Sequence, residues 1–255
     1  MKKIHIFYIR KIWWLWGVVG MCCLLAVGGH SAVKQVIAVS ATSRQLPIYS
    51  VAQEEKILSI SFDAAWGNED TQELIDILET YDVKATFFVV GDWVERFPES
   101  VLALHQAGHE IMNHSNTHAH YPKLSPEEIV ADLNACNDKI EAITGIRPTL
   151  VRLPYGDYDD HVITTIRAMG MEPIQWDVDS HDWMDISAKE IAERVISKTA
   201  SGSIVLFHNA ALHTPEALPV ILETLQSQGY SFVKISEILL EGDYILDHTG
   251  KQQSA

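Results

Sequence analysis

Ile57-Leu-Ser-Ile-Ser-Phe-Asp-Ala-Ala-Trp-Gly-Asn-Glu-Asp-Thr71-Gln-Glu-Leu-Ile-Asp-Ile-Leu-Glu-Thr80 is the stretch that decides the fold. From Ile57 to Phe62 apolar residues alternate with serine, which is the period of a strand. From Thr71 to Thr80 the apolar positions are 74, 75, 77 and 78, and all but one of these share a helix face. Ala85–Val90 then reads as a second strand. Outward from this unit the same alternation continues. Further strands are expected at Glu110–Asn113, Thr149–Leu153, Pro173–Asp177, Ser203–Phe207 and Ser231–Lys234. Helices are expected at Pro126–Ile143, Asp159–Met169, Ala188–Thr199 and Glu216–Gln228, the last with Thr214 as N-cap and Pro215 at its first position. Strand–helix alternation repeated about seven times is the pattern of a parallel α/β fold, as an open sheet or a closed barrel.

The first forty residues differ in kind. They hold five basic residues (Lys2, Lys3, Arg10, Lys11, Lys34) and no acid, and Ile12–Val33 carries no charge. As a helix those residues would span ~33 Å, against a hydrocarbon core of ~30 Å. Basic residues before the span and the Trp13, Trp14, Trp16 cluster beside it predict a membrane-targeting segment with a cytoplasmic N-terminus. The acidic domain is then sent across the membrane, either anchored or exported after cleavage. The expected organisation is 1–40 signal-anchor or signal peptide, 41–54 linker, 55–245 α/β domain and 246–255 tail.

The chain has 255 residues, 47% of them hydrophobic, which suffices for a full core and excludes a disordered chain. With 34 acidic against 19 basic residues its formal net charge is −15, which excludes a nucleic-acid binder, since phosphate contacts need clustered Lys and Arg. Three cysteines make neither a disulfide framework nor a zinc site. Cys22 and Cys23 fall in the apolar span, and Cys136 reads as a packing residue. A single hydrophobic span excludes a transporter subunit, and the absence of a Gly-x-Ser-x-Gly elbow argues against a serine hydrolase.

Parallel α/β folds build their sites at the carboxyl ends of strands. Here those ends deliver Asp63, His114 and His118, Arg152, Asp177 to Trp183, and His208. Each alone admits a structural role. Asp63 could cap a helix, Arg152 could pair with any carboxylate, and His208 could be a satisfied core histidine. His114 and His118, four residues apart, suit a divalent metal, but His109 and His120 nearby show that histidine is frequent here.

In order, Asp63, His114-x-x-x-His118, Arg152-Leu-Pro-Tyr-Gly156, Asp179-Ser-His-Asp182-Trp183 and Leu206-Phe-His208 resemble the five motifs of the polysaccharide deacetylases, carbohydrate esterase family 4 with the NodB-homology domain. The resemblance covers roughly residues 55–240. The segment Phe62–Thr71, behind a membrane-targeting N-terminus, resembles the PdaB-like sporulation branch. The resemblance implies a distorted (β/α) barrel of about seven parallel strands. It also implies hydrolysis of N-acetyl groups on a cell-wall glycan, peptidoglycan above all, by metal-assisted attack of water. His114 and His118 would hold a divalent metal, zinc by expectation. Asp63 matches the base, Arg152 its partner, His208 the acid, and Asp182 the carboxylate behind it. Tyr155 would contribute an oxyanion N–H, while Trp183 and Leu206 would wall the acetyl pocket.

One position departs from the family pattern. A second aspartate, a metal ligand, usually follows the first; here Ala64 does, then Ala65. Three outcomes follow: Asp63 ligates the metal itself, Asp70 reaches in, or the metal is held weakly or not at all. The competing expectation is a glycan-binding or spore-wall assembly protein that keeps the fold with little catalysis.

Overall fold

The chain enters the fold at Ser50–Val51 (β1) and crosses it at Ile57–Ala64 (β2). This computed structural model describes residues 44–255. The targeting segment expected over 1–40, with Cys22 and Cys23, lies outside the described residues. In β2 the alternation sorts two faces. Leu58, Ile60 and Phe62 join the main buried apolar cluster, whereas Ser61 and Asp63 meet Arg152 inside the curl of the sheet. Thr71–Thr80 (α1), Thr86–Val89 (β3), Gly91–Arg96 (α2), Pro98–Gln106 (α3), Glu110–Asn113 (β4) and Pro126–Thr144 (α4) follow. Next come Leu150–Arg152 (β5), Asp160–Ala168 (α5), Glu172–Ile174 (β6), Val178–Asp179 (β7), Ala188–Lys198 (α6) and Ile204–His208 (β8). Thr214–Ser227 (α7), Ser231–Phe232 (β9), Ile235–Ile238 (α8), Tyr244–Leu246 (β10) and Lys251–Ser254 (β11) complete the chain.

Seven strands stand in the order β6-β5-β4-β3-β2-β8-β7, every adjacent pair parallel, curled into a half-barrel with its helices. The seventh is not the one expected. The run Pro173–Asp177 breaks: β6 ends at Ile174, and β7 forms only at Val178–Asp179. The break has a cause in Asp177, whose carboxylate accepts from Ile204 N–H and Ser203 Oγ and so ties the chain to the start of β8. Ser231–Lys234 contributes only two strand residues, paired with the start of β2.

Both ends of the expected domain extend. Ile48 donates its N–H to the Pro173 carbonyl and accepts from Gln175 N–H, and Val51 N–H bonds the Gly202 carbonyl. Residues 48–51 therefore run from the free edge of β6 to the start of β8, with Ile48 and Val51 fully buried. From Gln45 onward the expected linker belongs to the folded unit. Residues 251–254, in the expected tail, form a strand. β11 pairs parallel with β1 and antiparallel with β10, and the buried Gln252 side chain exchanges hydrogen bonds with the Leu240 backbone. α2 and α3 escaped the periodicity reading because α2 has six residues and Pro98 restarts the helix at once.

α4 shows how the sequence frames the site. Ser125 and Glu128 form a capping box at its start, and Gly145, at φ +72°, ends it in the left-handed conformation. Ile129, Leu133, Cys136 and Ile140 face inward. Burial pushes the Cys136 thiol up to about 12, the state of an inert packing residue.

Candidate active site

At the carboxyl ends of the strands a cavity of about 420 Å³ opens. Asp63, His114, His118, Tyr155, Trp183, Leu206 and His208 line it, while Arg152 and Asp182 are buried behind. Register explains the gathering: Asp63 on β2 is the direct partner of His208 on β8, and Leu206 of Asp179 on β7.

Asp63 is held from beneath. Arg152 Nη1 donates to its Oδ1 at 2.9 Å, and Nη2 reaches Ser61 Oγ at 3.0 Å. Arg152 Nε donates to the Ile174 carbonyl, and the guanidinium lies over the Phe88 ring, 4.4 Å from its centroid. Burial lowers the Arg152 pKa against the opposing pull of Asp63, but a guanidinium starts high enough to stay charged at neutral pH. A fully enclosed arginine with every nitrogen committed fixes the carboxylate it faces.

His114 follows β4. Its Nδ1 lies 2.9 Å from the Arg152 carbonyl, an acceptor only, so Nδ1 carries the hydrogen and Nε2 presents a lone pair. That Nε2 is 3.2 Å from His118 Nε2 and 3.5 Å from Asp63 Oδ2. Burial holds both imidazoles below the ordinary histidine value, His118 at about 4, so both are neutral at pH 7. The loop between them is tightly bonded. Asn113 Oδ1 accepts from Ser115 N–H, Ser115 Oγ from His118 N–H, and Asp132 from Asn116 N–H and Thr117 Oγ1. It docks on the start of α2, where a Cβ at Gly91 would overlap Asn116.

His208 is paired with Asp182. Asp182 Oδ1 lies 2.8 Å from His208 Nδ1, and Oδ2 accepts from His208 N–H and Thr214 Oγ1. Burial opposes charging the imidazole, but the Asp182 hydrogen bond and the Asp182, Asp63 and Asp179 charges outweigh it, and the pKa rises. Nδ1 is occupied, which leaves Nε2 for the cavity. Thr214, expected as an N-cap, instead orients Asp182. Trp183 and Tyr155 stand at the rim, each well exposed, and Tyr155 sits at φ +59° with its ring stacked on His120.

Ala64 is 1% exposed and belongs to the same apolar cluster as Phe62. Asp70 does not reach the histidines: its Oδ2 accepts from Ala210 N–H at 2.8 Å, pinning the loop after β8. Asn209 does the same from the other side, accepting from Ala65 N–H and donating to the Gly67 carbonyl. Two neutral imidazole nitrogens 3.2 Å apart match an edge of a tetrahedron with ~2.0 Å bonds, so the pair fits a divalent cation as two of its ligands. Among the described residues no set of three His, Cys, Asp or Glu side chains is arranged to hold one. Sequence reasoning missed Ser61, Asp132, Asn209 and Thr214. They act through the expected residues, and no local pattern marks them.

Comparison with known proteins bears on the family. The polysaccharide deacetylase family model matches residues 50–174. The peptidoglycan-N-acetylglucosamine deacetylase of Bacillus cereus is 34% identical over 196 residues, 75% of this chain and 92% of that protein. The peptidoglycan-N-acetylmuramic acid deacetylase PdaC of Bacillus subtilis is 34% identical over 74% of this chain, which spans only 40% of PdaC. A CE4 family pseudoenzyme from Bacillus anthracis superposes with a TM-score of 0.74 at 35% identity, covering 77% of this chain and 69% of that one. A mutant of a pseudoenzyme in the same family, described as having restored enzymatic activity, superposes equally well at a TM-score of 0.73 and 36% identity, over 77% of this chain and 72% of that one. By motif order, fold and these likenesses, the chain belongs to the polysaccharide deacetylase family.

Proposed function

We propose that this protein removes N-acetyl groups from a bacterial cell-wall glycan, with turnover limited by an incomplete metal site. The observation that carries the reading is the pair of buried couples, Arg152–Asp63 and Asp182–His208, whose Asp63 and His208 share one cavity with the His114–His118 pair. His114 and His118 would hold the cation, zinc by expectation. Bound there, it would polarise the amide carbonyl and acidify a water. Asp63, oriented by Arg152, accepts the proton of the attacking water. The Tyr155 N–H steadies the oxygen that gains charge. His208, charged with the help of Asp182, gives its Nε2 proton to the departing nitrogen. The C–N bond breaks to leave acetate and a free amine. Trp183 and Leu206 wall the methyl group.

Ala64 favours a second reading, a glycan-binding or wall-assembly protein with little catalysis, and the resemblance to a pseudoenzyme supports it. Acetate release from N-acetylated peptidoglycan fragments separates the two. Zinc-dependent release lost in Asp63→Asn and in His208→Ala supports the enzyme; glycan binding without release supports the second reading. Attachment to the cell membrane or export through residues 1–40, with the domain outside the cytoplasm, would bring it to peptidoglycan. The PdaB-like segment supports a place in sporulation.

A further inference from the structure

We infer that Asp132, on α4, is a positioning residue that presets the spacing of His114 and His118; this rests on the metal-binding reading of that pair. Ser115 at φ +71° and His118 at φ +55° adopt left-handed backbone that residues other than glycine rarely take. Such a turn persists only where its surroundings over-determine it. One carboxylate ties the residues between the two histidines to α4. Asp132 Oδ2 accepts from Asn116 N–H and Tyr121 O–H, both at 2.8 Å, and Oδ1 accepts from Thr117 Oγ1 at 2.8 Å. All three donors lie between the two histidines or just beyond them.

Asn116 is gripped from every side. Its carbonyl accepts from Asp92 N–H, and its Oδ1 accepts from Lys139 Nζ at 2.6 Å. Asp132 itself is fixed, because Leu133 beside it and Cys136 one turn on are fully buried in a helix capped at both ends. The outcome is an Nε2–Nε2 separation of 3.2 Å set by the protein's own bonds. A preset pair lowers the ordering cost of taking up a cation, and outer contacts of this kind typically govern metal affinity. With alanine at position 64, that presetting carries more of the binding than in a site with a full ligand set.

Asp132→Asn tests the inference. The amide keeps the shape but turns one acceptor into a donor that faces N–H or O–H groups. Zinc affinity is read by competition with a chromophoric chelator, and the Asn116 amide by hydrogen exchange in metal-free protein. Ile221→Val, in α7, serves as a control for general destabilisation. The expected result is a roughly 10–100-fold loss of zinc affinity with faster Asn116 exchange in Asp132→Asn, and neither change in Ile221→Val. Unchanged affinity and unchanged exchange overturn the role. If Asp132→Asn does not fold, Thr117→Val removes only the Oδ1 contact. It should show a smaller loss in the same direction, and no loss overturns the role. If the wild type takes no zinc, the metal reading of the histidine pair fails. Asn116 exchange then decides for Asp132 alone, faster exchange upholding the positioning and an unchanged rate overturning it.

Discussion

Asp63 and Ala64 are neighbours at the end of β2, one a carboxylate in the cavity and the other an apolar side chain in the core. Asp63 is buried against Arg152, so removing the guanidinium leaves a buried carboxylate unpaired. Arg152→Ala should cost about 3–5 kcal/mol, read as a lower urea midpoint; an unchanged midpoint would show that the pair is not the support described. Ala64 sits where a carboxylate would be buried among apolar groups. Ala64→Asp should therefore melt lower than the wild type without metal, and zinc should raise its melting temperature more than it raises the wild type's. An Ala64→Asp protein as stable as the wild type and indifferent to zinc would contradict this. Asp63, His114, His118, Arg152 and His208 were legible because each lies at or just after the end of a strand, in a recognisable order. Thr214 and Asp132 were not, because their partners are 32 and 11 to 16 residues away and only the folded backbone brings them together.

The elements that surprise are those built by backbone rather than by apolar pattern. Strand–helix alternation revealed six of the seven barrel strands. It missed β7, two residues long, and β11, whose Lys-Gln-Gln-Ser sequence has no hydrophobic period. It read residues 45–54 as linker because a short segment filling a seam has no period to detect. Gly202 tests that segment. It sits at φ +82°, and a Cβ there would lie 1.7 Å from the Val51 carbonyl oxygen. Gly202→Ala should destabilise by on the order of 2–3 kcal/mol, measured by urea unfolding, through loss of the Val51–Gly202 hydrogen bond. A variant with the wild-type midpoint would show that the Val51–Gly202 contact does not support the fold.

At the scale of the molecule, pH acts on His109 and His208 with opposite sign. His109 is buried at the start of β4, its Nδ1 accepting from Ala85 N–H, and burial brings its pKa to about 4. The fold thus favours the neutral ring. That stability is complete above pH 6.5 and is lost as pH falls towards 4, by up to about 3 kcal/mol. His109→Asn, whose side-chain oxygen can still accept from Ala85, should flatten the fall in melting temperature between pH 6.5 and 4; an unchanged slope would assign the acid sensitivity elsewhere. His208 has a raised pKa. Its bond to Asp182 contributes fully below pH 6.5 and weakens as pH climbs through the folded value, so turnover that needs a charged His208 should decline on the alkaline side. On the proposed function, the two buried couples should still perform hydrolysis despite Ala64, and acetate release from N-acetylated peptidoglycan fragments, titrated with zinc, is the measurement that decides. Slow release should grow with zinc and vanish in Asp63→Asn and His208→Ala. Glycan binding with no release at saturating zinc, or release that survives both substitutions, would contradict it.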